Sequence, residues 1–230
     1  MDKDYLNLLL NISLFENISG EDIVGLLDCL QPRIRAYQKD EYIALVGDPV
    51  EGIGIVLEGR IEVLKENLLG QSVVMARFGR GSIFGEVAAF SKSGIWPSSV
   101  RVFEDANIMT IQTAHFTGQC AQGCNYHRQL MFNMLQILAD KALVLNRKVD
   151  FLTVKTIRGK IAAMVYEAVL AHQSLSITLP YSRETMAKML NVARPSLSRT
   201  LIQMKEEGIL DFNRSQFTVL DEELLKMELV

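Results

Sequence analysis

Cysteine is scarce in this 230-residue chain: Cys29, Cys120 and Cys124 are all it has, too few for the disulfide framework of a small secreted domain. No apolar run comes near the roughly 18 residues that a membrane span needs, so no membrane association is expected. The amino terminus, MDKDYLNLLLNISLFENISG, opens with acids and lacks a basic n-region and a cleavage site. No secretory signal is therefore expected, and the expected location is cytoplasmic. The spaced Leu and Ile of that stretch suit an amphipathic helix instead. Histidine is equally sparse, and no two of His115, His127 and His172 have metal-ligand spacing, so no metal site is expected. The chain has no nucleophile elbow, no phosphate-binding Gly-Lys loop and no HExxH pair, and enzyme activity is not expected. Internal repeats and low-complexity segments are also missing. Nor is there a general excess of basic charge. A net charge of −3 and an isoelectric point near 5.7 exclude a protein that coats nucleic acid by bulk electrostatics. The charge is uneven, however: between Lys155 and Arg214 there are 9 basic and 5 acidic residues, a net of +4, which leaves −7 for the remainder. That is the balance of a specific binder with one local basic face.

What the chain does contain suits two domains, with 49% hydrophobic residues to build two cores. The most informative stretch is YSRETMAKMLNVARPSLSRTLIQMKEEGIL, residues 181–210. Ser182 is a good N-cap, and Met186, Ala187 and Leu190 follow on one helical face. Asn191–Val192 breaks the pattern. Pro195 suits the first turn of a new helix, where its missing N–H has no partner to lose. Leu197, Leu201 and Met204 give that helix a buried side, and Gly208 ends it. Arg194, Ser196, Ser198 and Arg199 then fall outside the buried stripe. This is the geometry of a recognition helix in a DNA major groove, where Arg grips guanine O6 and N7 and Ser donates to phosphate or a base edge. A merely solvated helix face is the plain alternative, but the cap, the turn, the Pro start and the following hairpin agree with one another. The hairpin runs through Ile209–Phe212, a polar turn Asn213–Gln216, and Phe217–Leu220, making the module a winged helix-turn-helix. Arg214 at its tip is placed to touch a phosphate; an unpartnered surface Arg is the other reading.

Upstream, Met131, Leu135, Leu138, Ala142, Leu145, Val149 and Leu152 are spaced 4, 3, 4, 3, 4, 3. Such a sustained seam suits a helix that pairs with a second copy of itself; burial in the protomer's own core is the alternative. Self-pairing is favoured because dimers of such modules bind half-sites roughly 34 Å apart. A hinge is expected near Leu152–Thr156, with a new helix starting at Ile157. The first half changes to short alternating runs punctuated by Gly. Strands are expected near 33–37, 42–45, 54–58, 60–65, 71–77, 99–102 and 106–112, with turns at Gly47–Asp48–Pro49, Glu58–Gly59, Leu69–Gly70 and Gly79–Arg80–Gly81. Seven or more short strands at this spacing predict an antiparallel sandwich or roll.

Over nearly its full length the chain resembles the cyclic-AMP receptor protein and fumarate–nitrate regulator (CRP/FNR) transcription factors. The resemblance rests on Ile53–Gly59, on Gly81–Ser82–Ile83–Phe84–Gly85–Glu86, on the long seam helix, and on Ser182–Arg183 with Arg194, Ser198 and Arg199. It implies an α+β protein in three parts: an effector-sensing, cupin-like antiparallel β-roll with a leading helix over 1–124, a dimerisation helix and hinge over 125–154, and a winged helix-turn-helix over 155–230. It further implies a homodimer on a palindromic double-stranded operator, acting with RNA polymerase. Arg199 matches the family's guanine-reading Arg, and Ser198 a Ser of the fumarate–nitrate branch. Ser182, Arg183 and Lys188 are expected near the DNA, the two cations at phosphates. The family's usual Glu, able to read cytosine, is replaced by Pro195, so selectivity at that base pair is expected to be relaxed or reassigned.

In relatives that bind cyclic nucleotides, Gly–Glu opens a short helix that holds phosphate and ribose, and an Arg–Ser pair eleven residues after the Gly completes the clamp. Here Gly85–Glu86 is kept, followed by Val87, but the Arg–Ser positions hold Trp96 and Pro97. Trp brings no charge, and Pro neither hydroxyl nor N–H; Ser98 and Ser99 offer hydroxyls without a cation. Losing a charged partner for a buried anion costs about 3 kcal/mol, over a hundredfold in affinity. The expected effector is thus a small molecule other than cyclic AMP, bound near Gly85, Glu86, Val87, Trp96, Ser98 and Ser99; that Trp96 only packs the roll is the alternative. Some relatives carry an iron–sulfur cluster on an N-terminal Cys group, but a thiolate-held cluster needs four ligands and none is expected here. A metal or redox role for Cys120 and Cys124 stays open beside that of ordinary thiols. Haem also stays open, through His127, which borders the dimer helix.

Overall fold

A computed structural model describes residues 3–66, 72–117 and 125–229. The Leu69–Gly70 turn, Cys120 and Cys124 lie outside the described residues. The chain forms two compact units, one up to Asp140 and one from Lys141 onward, and the fold is α+β as expected.

The first unit begins with α1 (Lys3–Leu9) and, after a 3-10 turn at Ser13–Phe15, α2 (Gly20–Leu30), which Ser19 caps by accepting from the Asp22 N–H. Then come β1 (Arg33–Tyr37), β2 (Tyr42–Ala44), β3 (Gly52–Glu66), β4 (Ser72–Gly79), β5 (Ile83–Phe84), the one-turn α3 (Glu86–Ala89), β6 (Ser99–Gln112) and α4 (Thr113–Thr117). The six strands are antiparallel throughout, in the order β1-β6-β3-β4, with β2 on β6 and β5 on β3. Alternation along the long strands sorts their side chains. Ile53, Ile55, Met109 and Ile111 pack against Leu14, Phe15 and Leu26 of the leading helices, while Ile61, Val100, Val102 and Ile108 fill the roll with Phe84.

Seven short strands were expected here, and two pairs of them fuse. Segments 54–58 and 60–65 are one strand, β3, and 99–102 and 106–112 are one strand, β6. Glu58–Gly59 is therefore a bulge and not a turn: the register against β6 slips on either side of it. Gly59 lies in the left-handed region at φ 77°, and a Cβ there would run into the backbone carbonyl of Asp105. Glycine signals both a hairpin turn and a bulge within a strand, and only the pairing partner decides between them.

The helix α5 (Asn125–Thr153) spans the boundary between the units. The chain breaks at residues 154–156, and Thr156 caps α6 (Ile157–His172) by accepting from the Gly159 N–H at 2.9 Å. Next are β7 (Ser176–Thr178), α7 (Arg183–Leu190), α8 (Arg194–Glu206), the hairpin β8 (Leu210–Asn213) and β9 (Gln216–Val219), and α9 (Glu222–Met227). The third strand of this small sheet, β7, pairs with β9 and was not foreseen. The core gathers Ile161, Val165, Met186, Leu190, Leu197, Leu201 and Phe217. Arg158 ties it off, donating from Nε to Glu228 at 2.9 Å and from Nη1 to Glu207 at 2.9 Å.

Candidate functional site

In the second unit the two central helices are α7 and α8, and identifiable residues fix their ends. The Ser182 hydroxyl accepts from the Thr185 N–H at 3.1 Å. Asn191 takes the left-handed conformation at φ 51° and closes α7. The ammonium of Lys160, buried in the core, donates to the Leu190 carbonyl at 3.0 Å and so satisfies one orphan acceptor of that terminus. Pro195 lies in the first turn of α8 as expected. Leu197, Leu201 and Met204 are fully buried, which leaves Arg194 and Arg199 exposed and Ser196 and Ser198 half-buried on the remaining surface. The Arg199 Nη2 donates to the Ser196 hydroxyl across a long 3.5 Å.

The hairpin turns on Arg214–Ser215, with Arg214 at φ 53°. Arg183 packs against this hairpin. Its guanidinium lies 4.8 Å from the ring centroids of both Phe212 and Phe217, and its Nη1 donates to the Met186 sulfur at 3.2 Å. Burial pushes this guanidinium below its ordinary pKa. Lys188 is exposed and pairs with Glu184 at 2.7 Å. The Lys160 cap and the Arg183 stack were missed because each depends on a residue from a distant segment.

Along α5 the seam divides. Met131 and Leu138 are partly buried against the roll's own core. Leu135, Leu145, Val149 and Leu152 are each more than half exposed, and Ala142 is exposed as well. Phe132, Leu143 and Val144, outside the seam, are exposed too. His127 lies in the first turn of the helix.

The expected effector residues fall into two places. Gly85 sits at φ 80° before α3, and the Trp96 indole stands directly over it: a Cβ on Gly85 would come 2.5 Å from the ring. Trp96 is itself held by backbone bonds, its N–H donating to the Asp48 carbonyl at 2.9 Å and its carbonyl accepting from the Gly47 N–H at 2.8 Å. Its ring tilts against Phe84, with centroids 6.3 Å apart, and both line a cavity of about 250 Å³ bounded by Tyr37, Asp48, Glu51 and Thr110. Glu86 is buried and Val87 exposed. Ser98 and Ser99 line a different cavity of about 200 Å³ beside Tyr42 and Leu64, and the Ser99 hydroxyl accepts from the Val46 N–H at 3.0 Å. Gly85 and Trp96 are thus brought together, and the two serines are not with them. The nearest arginine of that stretch in sequence, Arg101, is engaged elsewhere: its Nε donates to the buried Glu62 at 3.1 Å, and this bond, aided by Arg77, holds the Glu62 carboxyl below the usual carboxylate range.

Comparison with known proteins is consistent over both units. Residues 34–122 match the family described as Cyclic nucleotide-binding domain, and residues 159–228 match the Crp-like helix-turn-helix domain. The chain is 22% identical over 213 residues to the Cyclic AMP receptor protein of Thermus thermophilus, covering 93% of this chain and 94% of that protein. It is 19% identical to the Anaerobic regulatory protein of Bacillus subtilis, over 89% of this chain and 86% of that one. The crystal structure of the Thermus thermophilus Catabolite Activator Protein superposes with a TM-score of 0.54 at 19% identity, covering 94% of this chain and 98% of the other.

Proposed function

The chain belongs to the CRP/FNR family of transcription regulators, and from that premise we propose that it acts as a homodimer on a palindromic operator under the control of a small effector that is not a cyclic nucleotide. The observation that carries the DNA-binding half is α8. Its buried stripe of Leu197, Leu201 and Met204 fixes the rotation of the helix, so that Arg194 and Arg199 are left on the outer face together with Ser196 and Ser198. Arg199 reads a guanine edge, and Ser182, Lys188, Arg194 and Arg214 serve the backbone and flanking positions. Arg183 sets the wing through its contacts with Phe212 and Phe217. Pairing through Leu135, Leu145, Val149 and Leu152 removes an apolar helix face from water, and recruitment or occlusion of RNA polymerase in the cytoplasm follows from the family role. Among the described residues no helix is long and apolar enough to cross a membrane.

For the effector, the seat of Trp96 over Gly85 supports the same conclusion as the missing Arg–Ser pair: an uncharged indole stands over the glycine that the resemblance assigns to the phosphate. A second reading, control by a cyclic nucleotide, is favoured by the family match over residues 34–122 and by the kept Gly85–Glu86. Selection from random duplexes, followed by calorimetric titration of the full chain with cyclic AMP and cyclic GMP, tests both halves. The expected result is a palindromic consensus and no micromolar heat with either nucleotide. Micromolar binding of one of them selects the second reading, and failure to enrich any duplex removes the first half.

A further inference from the structure

The cavity behind Trp96 has a chemical character that the missing phosphate clamp does not by itself dictate. Its walls are aromatic at Tyr37, Phe84 and Trp96, and the charged residues lining it are two carboxylates, Asp48 and Glu51. Among the described lining residues there is no Lys, Arg or His. An anion entering here meets two carboxylates and no cation among the described lining residues, whereas a cation meets both carboxylates and the negative faces of the rings. Trp is the strongest of the aromatic side chains in that role.

The arrangement is also set in advance. Backbone bonds join Gly47 and Asp48 to Trp96, and Val50 to Gly94, so the indole and the Asp48 turn are held as one piece. The Asp48 carboxylate accepts from the Leu45 N–H at 2.8 Å. Tyr37 already serves a cation, the Arg35 guanidinium, which lies 4.7 Å from its ring centroid; Phe84 and Trp96 are the two rings left to a ligand. The volume of about 250 Å³ is larger than the roughly 150 Å³ that accommodates benzene and below the range of about 300–1,000 Å³ of drug-sized sites. It suits a small organic molecule of about ten heavy atoms.

We propose that this cavity takes a small organic cation, an ammonium with an apolar body, held between the Phe84 and Trp96 rings and the carboxylates of Asp48 and Glu51. The inference rests on the reading that the β-roll senses an effector other than a cyclic nucleotide, and it names the class. Trp96 is the single tryptophan of the chain, so its fluorescence reports the site directly. The full chain is titrated with choline and, separately, with 3,3-dimethylbutan-1-ol, which has the same shape and no charge. The expected result is a saturable change in Trp96 emission with choline, about tenfold tighter than with the neutral isostere. Glu51→Gln is expected to loosen choline about fivefold and leave the isostere unchanged; it is preferred to a change at Asp48, whose carboxylate also supports the turn. Equal affinity for the two probes, or no saturable change with choline, overturns the inference. A parallel arm with cyclic AMP separates the two levels. Micromolar cyclic AMP binding removes the parent reading together with this one. Silence toward choline and cyclic AMP, with operator binding that still responds to a metabolite extract, removes the cation alone.

Discussion

Arg199 stands exposed in the second turn of α8, and its long contact with the Ser196 hydroxyl costs little to break. Replacing it with Ala is expected to weaken operator binding by about 1–3 kcal/mol and to blur selection at one G·C position, which competition among single-base operator variants reads directly. Arg183 makes the contrasting case. With its guanidinium against Phe212 and Phe217, Arg183→Lys keeps the charge but loses the flat group that stacks on both rings. The expected cost is about 1–2 kcal/mol in urea unfolding, with the salt dependence of operator binding unchanged. A flatter salt dependence in that variant would return Arg183 to the phosphates. These two residues also mark what can be read without a structure. Ser182, Asn191, Pro195 and Gly208 declare the helix ends because caps act within a few positions of themselves, and that leaves Arg199 on the outer face. The stacking of Arg183 depends on a hairpin far along the chain, and no local pattern carries that information. The same holds for Lys160, whose partner is the Leu190 carbonyl.

At the scale of elements, α5 is 29 residues and so about 44 Å long, and of its seam Leu135, Leu145, Val149 and Leu152 are each more than half exposed in the protomer. Leu145, 62% exposed, is the position to test. Leu145→Glu is expected to convert a dimer into a monomer in sedimentation, to leave the circular dichroism unchanged because most of that side chain is already exposed in the protomer, and to remove operator binding at protein concentrations that saturate the parent. A dimer that survives the charge would place the contact elsewhere, with Phe132, Leu143 and Val144 the next exposed apolar residues of the helix. The 4-3 spacing made this helix legible in sequence. It left undecided whether the seam faces a second copy or the roll, and the protomer divides it, with Met131 and Leu138 on the roll. Strands were legible where alternation ran clean, as in β1, whose bounds match the expectation. They were not legible where Gly59 permits a bulge, nor at β7, three residues long and recognisable only through its pairing with Phe217 and its neighbours.

For the whole molecule the governing quantity is the uneven charge. The stretch from Lys155 to Arg214 carries +4 against −7 elsewhere, so DNA is expected to approach this part of a chain whose remainder repels it. Affinity should then depend steeply on salt. If Lys188, Arg194 and Arg214 each neutralise one phosphate in both copies, the logarithm of the binding constant falls with the logarithm of salt concentration with a slope of about −5. Lys188 is the informative member of this set, because in the free protein it is paired with Glu184 and its hydrogen bond holds the Glu184 carboxyl below the usual carboxylate range. It must exchange that carboxylate for a phosphate on binding, an exchange that costs little because exposed ion pairs are worth about 0–1 kcal/mol. Lys188→Ala is therefore expected to reduce the slope by about 2, one for each half-site, while leaving sequence selectivity intact. A slope that does not move would mean that Lys188 stays with Glu184 in the complex and that the backbone is held by the cations of α8 and the hairpin instead.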